Sequence, residues 1–104
     1  MEELLKVSGA IYDETRIKIL KFILENGEVC VCDIENSFNM VQSRVSRHLK
    51  ILKEAKLLSV DRKGRWAYYT IRDNLDKLRV CILDEIDSLN IKVPPLVHNC
   101  KVEH

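Results

Sequence analysis

From residue 14 the stretch ETRIKILKFILEN puts Ile17, Leu20, Ile23 and Leu24 at helical spacing, and that spacing predicts a helix. Asp13 stands ahead of it as an N-cap and Gly27 behind it as a stop. Residues 2–9 carry enough apolar positions for a short first helix. Residues 30–37 read as a short third helix, and Asn39 begins a turn. The next stretch, QSRVSRHLKILKEAKL, places Val45, Leu49 and Leu52 on one stripe, with Ser43, Arg44, Ser46, Arg47 and Lys50 on the other sides. A short helix, a tight turn and a helix with a cationic face predict a helix-turn-helix.

The period then changes from helical to two. In LLSVDRKGRWAYYTI, Leu58, Val60 and Arg62 share one face, and Ala67, Tyr69 and Ile71 share one face beyond Lys63-Gly64. Such alternation around a glycine turn predicts a hairpin. Its tip carries Arg62, Lys63 and Arg65. A helix-turn-helix followed by a basic-tipped hairpin is a winged helix. The predicted fold is therefore mainly α with one small β-hairpin, in the order α-α-α-α-β-β-α.

Helical spacing returns in NLDKLRVCILDEIDSLN, where Leu75, Leu78, Ile82, Ile86 and Leu89 form a stripe widened by Val80 and Leu83. That is more apolar surface than so short a chain covers alone, so the stripe is expected to be the seam of a homodimer. Pro94-Pro95 end regular structure. The expected division is a domain over residues 1–92 and a mobile tail over 93–104.

Composition sharpens this picture in three places. Few glycines and prolines in 104 residues favour helices. No stretch approaches the roughly 18 apolar residues of a membrane span, and the acidic, broken start is unlike a secretory signal, so a cytoplasmic location is expected. Four cysteines in such a compartment point to metal binding or packing rather than disulfides. The net charge of +1 hides an uneven distribution: residues 41–65 hold eight lysines and arginines against two acids, +6, so the remainder carries −5. A basic middle with acidic flanks suits an anionic partner on one face.

These residues resemble the ArsR/SmtB family of winged-helix metalloregulatory repressors over roughly residues 8–90. DETRIKIL resembles the family's start of domain, with Glu14 where proline is usual. QSRVSRHLKILKEAKLL resembles its recognition helix, although Val41 stands where a small polar cap is common. EVCVCDI is close to the thiol motif of the arsenic- and cadmium/lead-responsive branches. The resemblance implies a homodimer that binds operator DNA and is released when an inducer binds. The third cysteine of the arsenic pattern is replaced by Glu35. No cysteine precedes Cys30, which disfavours the cadmium/lead pattern. The last helix offers Asp84 and Asp87 but no histidine, which disfavours zinc sensing there. The resemblance thus implies As(III) or Sb(III) as inducer.

Soft thiolates select thiophilic ligands. Cys30 and Cys32 are the candidate metalloid ligands, with a third from Cys100, Cys81 or a small free thiol; Cys100 is favoured because a tail can move. Cys81 is expected to be a core cysteine, and His98 and His104 plain tail residues. Residues i and i+2 of a helix do not face the same way, so binding is expected to distort residues 30–33 and shift the helix supporting the recognition helix. Gln42, Ser43, Arg44, Ser46 and Arg47 are the candidate base-reading residues, because glutamine pairs bidentately with adenine and arginine with guanine. Lys50 and Lys53 suit phosphates, as do Arg62, Lys63 and Arg65 of the wing. His48 suits a spacer or phosphate donor, and Trp66, Tyr68 and Tyr69 suit the core of the wing. Two alternatives stay open: a thiol redox sensor on the same fold, and a thiol-rich metal-buffering or partner-binding protein. No nucleophile triad, phosphate loop or paired-carboxylate cleft is legible, so an enzyme is not expected.

Overall fold

The computed structural model describes residues 1–97. Its elements follow in the order α1 (Glu2–Ile11), α2 (Glu14–Asn26), β1 (Val29–Cys30), α3 (Val31–Phe38), α4 (Gln42–Glu54), β2 (Leu58–Lys63), β3 (Trp66–Ile71) and α5 (Lys77–Ser88). This is a winged helix-turn-helix.

The ends of α2 are set by its flanking residues. The Asp13 carboxylate accepts from the Arg16 backbone N–H at 2.9 Å. Gly27 closes the helix at φ 81°, a region that glycine enters without steric cost. Ile19, Leu20, Phe22 and Ile23 of α2 form the centre of the core. Ile34 of α3 packs onto them, as do Val45, Leu49 and Leu52, the stripe of α4. Phe38 meets Phe22 edge to face, with ring centroids 5.2 Å apart, which fixes the end of α3 on α2.

The turn between α3 and α4 passes through Asn39 at φ 54°, a left-handed position that asparagine tolerates. Val41 gives α4 no side-chain cap. The helix stops at Glu54, short of the expected Leu57, because Lys56 turns the chain at φ 63°.

The hairpin has the expected register, with Leu58 opposite Ile71, Val60 opposite Tyr69 and Arg62 opposite Ala67. The sheet has one more strand than the alternation revealed. β1 adds to the free edge of β3, pairing Val29 with Tyr69 and Cys30 with Tyr68, for a strand order β1-β3-β2. Two residues are too few to show a period, which is why the sequence pattern missed it.

α5 is shorter than its apolar stripe. The Asp76 side chain accepts from the Arg79 N–H at 3.1 Å and starts the helix, so Leu75 precedes it and Leu89 follows it. Ile86 lies in the chain's own core at 5% exposure, beside Leu83, while Leu78 and Ile82 are half-buried and Leu89 is exposed. Cys81, expected in the core, is exposed, because the core side of α5 is taken by Leu83 and Ile86.

Arg79, on the same helix, is 4% exposed. Its guanidinium donates to Ala55 O at 2.8 Å, to Asp76 at 2.7 Å and to Glu3 at 2.6 Å, joining α1, the end of α4 and α5. After α5 the chain turns back over the molecule. Ile91 and Val93 pack against the core, and the Val97 N–H donates to Ser37 Oγ on α3 at 2.8 Å. The first part of the expected mobile tail is thus docked. His98, Cys100 and His104 lie outside the described residues. Among the described residues no helix is long and apolar enough to cross a membrane.

Candidate functional site

Cys30 is not on a helix. It is the N-cap of α3, with extended backbone angles (φ −96°, ψ 166°), and it is also the last residue of β1. Its sulfur accepts from the Asp33 N–H while the Asp33 carboxylate accepts from the Cys30 N–H at 3.0 Å, a capping box with a thiol in place of the usual hydroxyl. This geometry swings the Cys30 side chain over the first turn, and its Sγ lies 3.4 Å from Cys32 Sγ. The expectation that two sulfurs meet only if the helix gives way is therefore corrected: the helix boundary falls between them, and the intact fold already brings them together.

Asp33 is the residue that the sequence reading missed at this site. The signal was present in C-x-x-D ahead of an apolar residue, but it was hidden because cysteine is not a usual cap. Asp33 is 1% exposed, and one ligand atom from each of Cys30, Cys32 and Asp33 falls within 4.8 Å of the others. Burial pushes the Cys30 thiol above its ordinary pKa. The neighbouring Asp33 carboxylate adds to that push, and the Asp33 N–H opposes it.

Cys30 is 4% exposed and Cys32 half-buried. Cys32 opens into a cleft of about 250 Å³, which it shares with Glu35 of α3, Gln42 and Ser46 of α4, and Arg62 and Arg65 of the wing. Trp66 and Tyr69 of β3 also line it. The sulfur pair thus lies at the junction of both helices of the helix-turn-helix with the wing. A backbone ladder reinforces that junction, because Cys30 itself is paired with Tyr68.

The residues expected to meet DNA lie on the outside. Gln42, Ser43, Arg44, Ser46, Arg47, Lys50 and Lys53 are exposed along α4, and Arg62, Lys63 and Arg65 are exposed at the tip of the wing. Two have partners within the chain that the sequence did not reveal. Lys63 Nζ sits 3.2 Å from both Glu28 oxygens and 5.0 Å over the Tyr68 ring. His48 Nδ1 lies 3.3 Å from Arg16 Nη1. Arginine can only donate, so that nitrogen is the acceptor. Burial lowers the His48 pKa, and Arg16, Arg44 and Arg47 lower it further against the pull of Asp13.

A three-stranded wing behind a helix-turn-helix, with a sulfur pair at the start of its first helix, defines a winged-helix domain of the DNA-binding class. Residues 13–60 match the model of the bacterial regulatory protein arsR family. Over 85 residues the chain is 36% identical to the HTH-type transcriptional regulator MJ1325 of Methanocaldococcus jannaschii, covering 82% of this chain and 96% of that one. It is 41% identical over 64 residues to the arsenical resistance operon repressor of Bacillus subtilis, covering 62% of this chain and 61% of the relative. The homodimeric winged helix-turn-helix domain Mb0332 of Mycobacterium bovis superposes with a TM-score of 0.70 at 24% identity, over 82% of this chain and 75% of that domain. The chain belongs to the ArsR family of transcriptional regulators.

Proposed function

We propose that this ArsR-family repressor holds its operator as a homodimer and releases it when As(III) or Sb(III) binds Cys30 and Cys32. The observation that carries this reading is the 3.4 Å separation of the two sulfurs at the head of α3. Two bonds of about 2.3 Å, the length of a zinc–thiolate bond, span about 3.4 Å at an angle of roughly 95° and about 3.8 Å at the tetrahedral angle. The pair is therefore close enough for both sulfurs to bind one thiophilic centre. Each As–S bond replaces an As–OH bond, and the thiol proton leaves with the hydroxide as water. The likeness to an arsenical resistance repressor supports the same inducer.

Cys100 supplies the third sulfur. Support comes from the docked tail: Val97 is tied to Ser37 on the same helix as Cys32, and three further residues reach at most about 10 Å. Cys81 is exposed on α5, a different element from the one that carries the pair. For DNA, Gln42, Ser43, Arg44, Ser46 and Arg47 read bases, while Lys50, Lys53, Arg62, Lys63 and Arg65 meet phosphates. The dimer forms through α1 and α5. The Arg79 guanidinium of α5 donates to the Glu3 carboxylate of α1, which ties the two helices together at one point. Leu4, Leu5, Val80 and Leu89 are exposed on them.

The test is titration of the protein–promoter complex with arsenite, with antimonite, zinc and cadmium as comparators. Release by arsenite that is lost in Cys30→Ser and Cys32→Ser is the expected result. The short S···S distance also favours a second reading, in which peroxide takes two electrons from the two thiols and leaves a disulfide and water. Release by peroxide but not by arsenite would select it.

A further inference from the structure

We infer that Arg16 and Arg79 are positioning residues for operator binding: they bracket α1 to the recognition helix α4 at two points, and so set how far apart and at what angle the two copies of α4 stand in the homodimer. The inference rests on the proposed operator complex and adds what fixes its geometry.

Each arginine holds a helix end. Arg79 of α5, 4% exposed, donates through Nε to Ala55 O at the C-cap of α4, at 2.8 Å, and through Nη2 to the Glu3 carboxylate of α1, at 2.6 Å. A third bond, from Nη1 to Asp76 at 2.7 Å, anchors it at the start of its own helix. Arg16 of α2 donates through Nε to Ala10 O at 2.6 Å and through Nη2 to Gly9 O at 3.3 Å, both in the last turn of α1. Its Nη1 lies 3.3 Å from His48 Nδ1 on α4. The last carbonyls of a helix are short of partners within it, and here two guanidiniums answer that need while reaching a second helix.

The spacing of the contacts makes them a bracket. On α4 they fall at His48 and Ala55, and on α1 at Glu3 and at Gly9 and Ala10. At 1.5 Å per residue, the two points are about 10 Å apart along either helix. One contact leaves a helix free to pivot, whereas two contacts at that distance fix its direction. Apolar burial is non-directional, and the buried residues of α1 are Val7 and Ala10. The exposed Leu4 and Leu5 of α1 are assigned to the seam, so the direction of α4 relative to α1 sets its direction relative to the partner copy.

A dimer reads two half-sites whose spacing matches its own geometry. One added base pair moves a half-site about 3.4 Å along the duplex and turns it by about 35°. A closed bracket resists that change, and an opened one follows it.

The experiment measures anisotropy of labelled operators with the natural spacing and with one base pair inserted or deleted between half-sites. The full chain is compared with Glu3→Ala and Arg16→Met, each of which opens one end of the bracket. Wild type is expected to lose at least tenfold in affinity on either change of spacing, and the variants threefold or less. Variants that melt earlier but keep the wild-type ratio overturn the inference, because a purely structural role lowers stability without relaxing spacing. Glu3 is exposed, so Glu3→Ala decides the matter if Arg16→Met does not fold. Wild type that sediments as a dimer yet ignores spacing overturns the inference alone. Wild type that is monomeric on the operator overturns the proposed homodimer with it.

Discussion

Cys30 Sγ lies 3.4 Å from Cys32 Sγ because Cys30 caps α3 instead of belonging to it. The cap makes a specific prediction for Cys30→Ser. A serine hydroxyl is a better N-cap than a thiol, so the variant should be as stable as wild type, or up to about 1 kcal/mol more stable. It should keep operator affinity and lose arsenite release. Chemical denaturation together with operator titration checks all three. A variant that unfolds more easily and binds DNA poorly would mean that the thiol has a structural role beyond capping.

The third sulfur is tested by X-ray absorption on the arsenite complex. Wild type and Cys81→Ser should each show three sulfur neighbours, and Cys100→Ser should show two, with weaker inducer binding. Three neighbours in all three proteins would place an external thiol on the metalloid.

Arg44→Ala and Arg47→Ala should each cost specific operator binding about 1–3 kcal/mol per lost base contact. Arg62→Ala should weaken binding to all sequences and flatten the salt dependence. Glu28→Gln should act in the opposite direction. The exposed pair with Lys63 competes with phosphate for the same cation, and such pairs are worth about 0.2–1 kcal/mol. Affinity should therefore rise by a factor of about five at most. Fluorescence anisotropy across a salt series distinguishes the three classes.

Two changes on α5 should separate folding from assembly. Ile86 is in the core, so Ile86→Asp buries an unpaired charge and should unfold the chain. Leu89 is 45% exposed, so Leu89→Asp should leave the fold intact and weaken the dimer. Circular dichroism reads the first effect and sedimentation the second. A Leu89→Asp protein that sediments as wild type would place the seam elsewhere.

His48 gives the molecule a pH dependence of known sign. Its pKa is lower in the folded chain than the free value of 6.5, first through burial and then through Arg16, Arg44 and Arg47. The unfolded chain therefore binds the proton more readily. This contribution to stability is fully present above pH 6.5 and is lost as the pH falls from there through the folded pKa. An NMR titration should show the ring titrating below 6.5. A value above 6.5 would mean that Asp13 outweighs the burial and the three arginines.

The helix-turn-helix and the hairpin were legible in the sequence because each rests on a repeat long enough to count. Val45, Leu49 and Leu52 mark one face over two turns, and Leu58, Val60, Ala67 and Tyr69 alternate about one glycine. What the pattern missed is made of single contacts between distant segments. β1 is two residues long, the Lys63–Glu28 pair spans 35 positions, and Arg79 meets Glu3 across 76. The site was half legible. The two cysteines stood out by type and spacing, but whether they meet depended on a helix starting at residue 31 rather than 30, a difference of one residue that periodicity does not resolve.

The pairing of Cys30 with Tyr68 runs through backbone atoms alone. The side chain at position 30 can therefore be exchanged without breaking the hydrogen bonds that hold β1 to the wing. The outer strand is a socket whose mounting is common to any sequence and whose contents are not. Natural variation can refit such a socket with new ligand-binding groups while the DNA-reading machinery beside it stays the same, so one architecture can acquire new chemical senses by changes at a few positions.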